Sequence, residues 1–262
     1  KRLAPFLEPL CGPEDAVAVP GDWVENSDRF ERVEPWGVEP QVLGWLGLIG
    51  VQDNVLQTLP NPAAVRPVNG RRWQLETERV LEVSDRVVLC LKSDEVFRSV
   101  AQWEIAGHEA VIKGEYGGSG RSVWFSNGVR QPNFNTEKDC YTLKTGCSFT
   151  VEPAEDADAE ISAHLTVTDD GVTFDGLCSL VSSMTGQFVS VEPLADPPAA
   201  LLEPRPIWEA VAERARADGY RGYLGIDAAV KDGVVIRPIR DVNARWTMGR
   251  IALTLGREVR NP

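Results

Sequence analysis

The sequence predicts an α+β fold with more than one lobe, because antiparallel hairpins and amphipathic helices follow one another along the chain. In residues 161–174, apolar and polar residues alternate on both sides of an Asp-Asp-Gly turn. A second hairpin pattern spans residues 223–242 around a Lys-Asp-Gly turn. Between the two lies a helix pattern with Pro206 in its first turn and Gly219 just past its end. Hairpins with flanking helices are typical of α+β proteins.

The N-terminal part of the chain is predicted to form a mixed α/β region. Residues 15–20 are predicted to form a short buried strand, because apolar residues dominate there. Pro40 is predicted to begin a helix over the apolar run 42–51, which is about half as long as a membrane crossing requires. Pro-rich segments at residues 59–63 and 192–198 are predicted to be hinges between lobes.

From residue 68 onward the helix and strand patterns are clearer. Asn69 is predicted to cap a helix that carries Arg71 and Arg72, and Ser93 is predicted to cap a second helix with two acidic residues in its first turn. Strands are predicted at residues 86–91, 109–113, 121–125 and 147–152.

The composition excludes some classes of partner. The chain has 27 Lys and Arg residues against 39 Asp and Glu, and its formal net charge is −12. Because such a surface repels phosphate backbones and anionic lipids, we predict neither nucleic acid nor a membrane as the main partner. The five cysteines are an odd number and form no CxxC pair, so we expect free thiols in a reducing, cytoplasmic setting.

One candidate for chemistry is Lys113, which precedes the glycine-rich turn at residues 117–120. Backbone N–H groups of such a turn can approach phosphate oxygens closely, and a nearby ammonium group neutralises them. The turn is not a Walker A loop, because the lysine precedes the glycines and no helix follows. Taken alone, these residues favour the alternative of a hairpin tip beside an ordinary surface lysine.

A second candidate lies on the C-terminal hairpin. Strand alternation places Asp241, Asn243 and Arg245 on one face, and the hairpin turn folds Asp227 back toward that face. Carboxylate and amide oxygens are ligands that Mg²⁺ prefers, and an arginine beside them can hold negative charge. The alternative is a solvated face with a chance carboxylate cluster. It is the weaker of the two, because Asp and Asn are poor strand formers.

Taken in order along the chain, these features resemble the ATP-grasp superfamily. In biotin carboxylase and D-alanine–D-alanine ligase relatives, a lysine strand and a glycine-rich loop are followed by an acidic hinge. A Gly-x-Asp/Glu strand and a Glu-x-Asn-x-Arg strand come last. The matching residues here are Lys113, residues 117–120, Glu152, Asp227 and the Asp241-x-Asn243-x-Arg245 strand, within roughly residues 66–256.

The resemblance implies a site for ATP and Mg²⁺, with Mn²⁺ as an alternative metal. The residues that match nucleotide-binding positions are Lys113 and Arg72 for the phosphates, Gly118, Ser119 and Gly120 for the lid, Glu152 and Ala154 for the adenine hinge, and Glu160 for the ribose. Arg72 stands where the family often has a lysine. The matching metal ligands are Asp227, Asp241 and Asn243, and Arg245 matches the arginine that steadies the reaction intermediate.

The implied architecture is an α+β ATP-grasp fold whose two lobes grip ATP. A partial pre-ATP-grasp region is expected at residues 1–66, the lid lobe at 67–151, and the C-terminal lobe with the metal site at 152–262.

The implied activity is that of an ATP- and Mg²⁺-dependent carboxylate–amine ligase, which forms an amide or peptide bond through an acyl phosphate. Its partners would be a small-molecule carboxylate and a small-molecule amine, and a homo-oligomer is left open. Two alternatives remain: a kinase-like ATP-grasp phosphotransferase and a non-catalytic ATP-binding module.

Overall fold

The computed structural model describes residues 7–11, 15, 17–19, 21–84, 86–117, 122–126, 148–183 and 188–260. The helices of this part are α1 (Pro40–Leu48), α2 (Asp53–Leu56), α3 (Pro62–Val68), α4 (Arg71–Val80), α5 (Ser93–Ile105), α6 (Ala199–Leu202), α7 (Arg205–Ala217) and α8 (Met248–Leu255). The strands are β1 (Val88–Cys90), β2 (Ala110–Gly114), β3 (Val123–Phe125), β4 (Phe149–Pro153), β5 (Ala159–Val167), β6 (Val172–Ser182), β7 (Phe188–Leu194), β8 (Gly222–Lys231), β9 (Val234–Ala244) and β10 (Val259–Arg260).

The first sheet has four antiparallel strands in the order β1-β4-β2-β3. Its two central strands, β2 and β4, are buried along their whole length. Helix α5 packs against them, and Val96 on the helix joins a core with Ile112 and Phe149. The first turn of α5 is capped by Glu95, whose carboxylate accepts hydrogen bonds from the backbone of the two residues before the helix.

The second sheet has six antiparallel strands in the order β10-β7-β6-β5-β8-β9. Alternating residues of β5, such as Ala163 and Leu165, pack with Trp208 and Val211 of α7 in the main core. Helix α8 contacts the sheet along β5 to β8, and its Ile251 joins a separate core with Cys178. The sheet is therefore covered by α7 and α8, as an α+β architecture requires.

Helices α3 and α4 precede the first sheet in the chain but pack against β9 of the second. Val65, Val68 and Trp73 belong to the same core as Trp208. The indole of Trp73 donates a hydrogen bond to Asp218 at 2.6 Å, which fixes α4 beside the end of α7. Because α4 also contacts β4, it lies where the two sheets meet.

Several predicted elements are confirmed. Both hairpins form, as β5–β6 and β8–β9, and the predicted helices appear as α1, α4, α5 and α7. Three predictions are wrong. Residues 17–19 form no strand. Asn69 does not cap α4, whose N-cap is Gly70, and Ser93 does not cap α5, whose N-cap is Lys92. The lobe boundaries after residues 66 and 151 stay predictions. No helix in the described ranges is long and apolar enough to cross a bilayer.

Candidate functional site

Lys113 and Glu152 form a buried ion pair on the two central strands of the first sheet. Both side chains are nearly inaccessible to solvent, with residue exposures of 7% and 4%. Burial lowers the pKa of Lys113 although Glu152 opposes the shift. Burial alone would raise the pKa of Glu152, but the positive charges of Lys113 and Arg237 outweigh it and lower that pKa to about 2. At neutral pH the Glu152 carboxylate is therefore ionised.

Two arginines of β9 pair with glutamates at the end of β4, in the segment that follows it and at the start of β5. Arg237 donates to Glu152 and to Glu155, each at 2.9 Å. Arg240 forms ion pairs with Glu155, at 3.3 Å, and with Glu160. These charged pairs tie the end of the first sheet to the edge strand of the second.

Asp227 and Asp241 lie opposite each other on β8 and β9. Asp227 accepts hydrogen bonds from Ser162 at 2.7 Å and from the side-chain amide of Asn243 at 3.2 Å. Burial and then the negative charge of Asp241 raise the pKa of Asp227 to about 6. The two carboxylates therefore bring two acidic groups together, and both hydrogen-bond donors to Asp227 are neutral.

Arg71, rather than Arg72, faces this carboxylate pair. The Arg71 guanidinium lies 3.0 Å from Asp241 and also donates to the backbone carbonyl of Arg240 at 3.1 Å. Arg72 is exposed on the other side of α4. The arginine beside the candidate metal ligands is thus the neighbour of the one selected from the sequence, and a phosphate contact by Arg72 stays a prediction.

Arg245 lies just after β9, the strand that carries Asp241 and Asn243. Its guanidinium donates to the side-chain oxygen of Asn243 at 2.7 Å and to the carbonyl of Trp246 at 3.2 Å. The N–H group of Trp246 in turn donates to Trp36 at 3.0 Å. The N-terminal region therefore lines the side of the site on which Arg245 lies.

The other residues predicted to bind the nucleotide are Ala154, Glu160 and the lid residues. The N–H group of Ala154 donates to the carbonyl of Glu109 at 2.7 Å, and the role of the hinge backbone in reading the adenine edge stays a prediction. Glu160 pairs with Arg240 through one oxygen and accepts from Ser182, at 2.8 Å, through the other. Its predicted ribose contact stays a prediction. The lid residues Gly118, Ser119 and Gly120 lie outside the described residues.

Sequence reasoning missed Arg237 and Arg240, although both are central to the site. The signal was present: they interrupt the apolar pattern Val-Val-Ile-Arg-Pro-Ile-Arg of β9. An arginine in a strand that is otherwise apolar needs acidic partners if it is buried. Among the described residues, no group of three or more His, Cys, Asp and Glu side chains is placed to hold a metal ion.

No family model and no curated protein matches the sequence. The structure, in contrast, is similar to solved structures. Pyruvate carboxylase from Rhizobium etli matches with a TM-score of 0.61 at 14% identity, over 86% of this chain and 20% of that one. Biotin carboxylase from Campylobacter jejuni matches with a TM-score of 0.56 at 14% identity, over 82% of this chain and 54% of that one.

A third similar structure is N5-carboxyaminoimidazole synthetase from Staphylococcus aureus, which was solved with ADP. It matches with a TM-score of 0.53 at 11% identity, over 82% of this chain and 59% of that one. Identities this low show the fold alone, and the chain has the predicted ATP-grasp fold. The chain spans little more than half of the biotin carboxylase and of the synthetase.

Proposed function

We propose that this chain binds ATP and Mg²⁺ between its two sheets and is an ATP-dependent carboxylate–amine ligase. The observation that carries the proposal is the convergence of four cations where the sheets meet, next to the Asp227–Asp241 carboxylate pair. Lys113 and Arg237 share Glu152 as a partner, and Arg237 and Arg240 share Glu155. Arg71 donates to the carbonyl of Arg240 at 3.1 Å, so the four groups are joined by direct contacts. Arg71 in turn contacts the Asp227–Asp241 pair through Asp241.

This distribution of charge suits a nucleotide with its metal. Lys113 and Arg71 come from different elements and present positive charge that would offset the phosphates of ATP. ATP-grasp enzymes of known structure hold ADP, as in the Staphylococcus aureus synthetase, and MgADP, as in a biotin carboxylase domain from Hydrogenobacter thermophilus.

The residues around Asp227 fit a magnesium ion. Asp227, Asp241 and Asn243 offer hard oxygen donors. Asp227 and Asp241 lie opposite each other on β8 and β9, so a cation between them would offset the charge of both carboxylates. Two carboxylates and one amide leave coordination positions for phosphate oxygens and water, in accord with the small number of protein ligands usual for Mg²⁺. The ion would offset negative charge on the phosphates during transfer.

Arg245 is the residue proposed to stabilise the reaction intermediate. Its side chain follows the end of β9 and donates to Asn243, so its position is tied to that of a proposed metal ligand. In the proposed reaction, a substrate carboxylate takes the γ-phosphoryl group and an amine then displaces phosphate. Arg245 would donate hydrogen bonds to the oxyanion that forms. Both substrates are small molecules in this proposal.

Titration calorimetry with ATP and Mg²⁺ tests the nucleotide part of the proposal. Lys113→Met keeps most of the side-chain volume and removes a charge-assisted contact of about 1.5–3 kcal/mol, so we expect the affinity for ATP to fall about tenfold or more. Lys92→Met, at an exposed position next to α5, is the matched control and should bind like the wild type. Urea unfolding of each variant shows whether it is folded. Unchanged ATP affinity in Lys113→Met would contradict the proposal.

A further inference from the structure

Helix α4 buries three polar side chains along one face. Arg71, Gln74 and Glu78 are spaced by three and four residues, so they share one side of the helix. Their exposures are 7%, 5% and 1%, whereas Glu76 is exposed on another side of the helix. We call these three residues the polar stripe of α4. Because burial of polar groups is costly unless they are paired, the polar stripe needs partners.

The three side chains form a directed chain of hydrogen bonds. The Arg71 guanidinium donates to the side-chain oxygen of Gln74 at 3.2 Å. The side-chain nitrogen of Gln74 donates to Glu78 at 2.7 Å. A guanidinium can only donate and an ionised carboxylate can only accept, so its two neighbours fix the orientation of the Gln74 amide.

The two ends of this chain reach the two halves of the candidate site. At one end Arg71 contacts the proposed metal ligand Asp241 at 3.0 Å. At the other end Glu78 lies 3.7 Å from Arg237, which donates to Glu152, the partner of Lys113. The stripe therefore connects the acidic pair of the second sheet with the buried lysine of the first.

Stability alone does not account for the stripe. Oxygen Oε2 of Glu78 is buried and has no hydrogen-bond partner among the described residues. Burial also raises the pKa of Glu78, so its charged form is held at a cost. A buried group that is only partly satisfied lowers stability, and its presence beside a functional cluster indicates a role in arranging that cluster.

We infer that Gln74 and Glu78 are positioning residues for the phosphate-binding cations. Gln74 holds the Arg71 guanidinium directly, and Glu78 holds the Lys113–Glu152 pair through Arg237. Arg71 and Lys113 are thereby kept in a fixed arrangement, so that both can contact the phosphates of one nucleotide. The inference rests on the proposed nucleotide site and concerns how that site is arranged.

The test compares ATP with adenosine, which lacks the phosphates. Gln74→Met fills the same space and removes the three hydrogen bonds of the amide, which join it to Arg71, to Glu78 and, at 3.4 Å, to the carbonyl of Arg240. Glu76→Met on the exposed side of α4 is the matched control. We expect Gln74→Met to weaken ATP binding about tenfold while adenosine affinity stays within twofold of the wild type. Glu76→Met should change neither. A purely structural role would lower the urea midpoint without moving the ratio of the two affinities.

A second pair of variants keeps the test decisive if Gln74→Met does not fold. Glu78→Gln retains an oxygen that accepts from Gln74, so we expect its ATP-to-adenosine ratio to stay within threefold of the wild type. Glu78→Leu removes the acceptor and should lower that ratio about tenfold. If the wild type binds ATP and both Gln74→Met and Glu78→Leu keep its ratio, the positioning role is wrong and the proposed function stands. If the wild type binds no ATP, the proposed function fails and this inference fails with it.

Discussion

The side-chain amide of Asn69 pairs with both backbone groups of Ala244. The N–H group of Ala244 donates to Oδ1 of Asn69 at 2.8 Å, and Nδ2 of Asn69 donates to the Ala244 carbonyl at 3.3 Å. The amide thus continues the hydrogen bonding of the sheet beyond β9, its edge strand. Because Ala244 lies between Asn243 and Arg245, this pairing fixes the corner between α3 and α4 to the strand that carries the candidate site.

Replacing Asn69 with Ala should destabilise the protein by about 2–3 kcal/mol. The substitution removes both bonds to Ala244 and a third, from Nδ2 to the carbonyl of Val65 at 3.1 Å, each worth about 1 kcal/mol. Urea unfolding measures the change. Asn61→Ala, which removes only the local cap of α3, is the control and should cost about 1 kcal/mol. Equal losses in the two variants would show that the bonds to Ala244 add no stability.

The pairing of Asn69 also shows where prediction from sequence ends. The hairpins were predictable because strand alternation and Asp-Gly turns are local signals. An asparagine near the start of a helix is ordinarily read as a cap, but the partner of Asn69 is 175 residues away along the chain. Only tertiary packing brings the two together.

Arg71 and Arg72 illustrate the same limit within one helix. Consecutive residues of an α-helix point about 100° apart, so the choice between them depends on the rotation of α4 about its axis. That rotation is set by Trp73, which packs in the main core, and by the polar stripe that faces the site. The order of motifs along the chain was enough to predict the ATP-grasp fold, but not which arginine faces Asp241.

Gly249→Ala should be strongly destabilising, by about 2 kcal/mol or more. A Cβ atom at this position of α8 would overlap the imidazole of His164, which is fully buried and cannot move aside. Gly47→Ala in α1 is the control: nothing lies within 4 Å of a Cβ there, and the change should stabilise by about 0.5–1 kcal/mol. Thermal or urea unfolding distinguishes the two.

A double variant tests the cause of that loss. His164→Ala empties the space that the new Cβ would enter, so Gly249→Ala should cost much less in the His164→Ala background. The free energies of unfolding of the wild type, the two single variants and the double variant yield the coupling energy between positions 164 and 249. Additive losses would mean that the overlap with His164 is not the reason.

The buried His164 predicts a dependence of stability on pH. Burial and then the positive charge of Arg250 lower its pKa to about 3, from an ordinary value of 6.5. The native state therefore keeps the ring neutral while the unfolded chain takes up a proton below pH 6.5. The contribution of the neutral His164 ring to the free energy of unfolding is fully present above pH 6.5. It falls by about 1.4 kcal/mol for each pH unit from there toward pH 3.

Comparison with His164→Gln isolates this contribution, since glutamine does not titrate. Between pH 7 and pH 5 the free energy of unfolding should fall more steeply in the wild type than in the variant, by about 2 kcal/mol. Parallel pH profiles would show that His164 does not gain a proton on unfolding in this range.

Asp241→Asn and Arg245→Ala should separate binding from chemistry. Asp241→Asn keeps the shape and removes a ligand charge, so it should weaken both Mg²⁺-nucleotide binding and turnover. Arg245→Ala should leave nucleotide affinity nearly unchanged and cut turnover by about 10²–10³, the loss typical of one transition-state donor. Arg257→Ala, at an exposed position beyond α8, is the matched control.

Hydroxylamine intercepts an acyl phosphate, so hydroxamate formed from a pool of carboxylates measures turnover without the cognate amine. Equal hydroxamate from wild type and Arg245→Ala would show that Arg245 does not stabilise the intermediate. If ATP turns over with every pool and no hydroxamate forms, the kinase-like alternative is the better account. If ATP binds without turnover, the chain is a binding module.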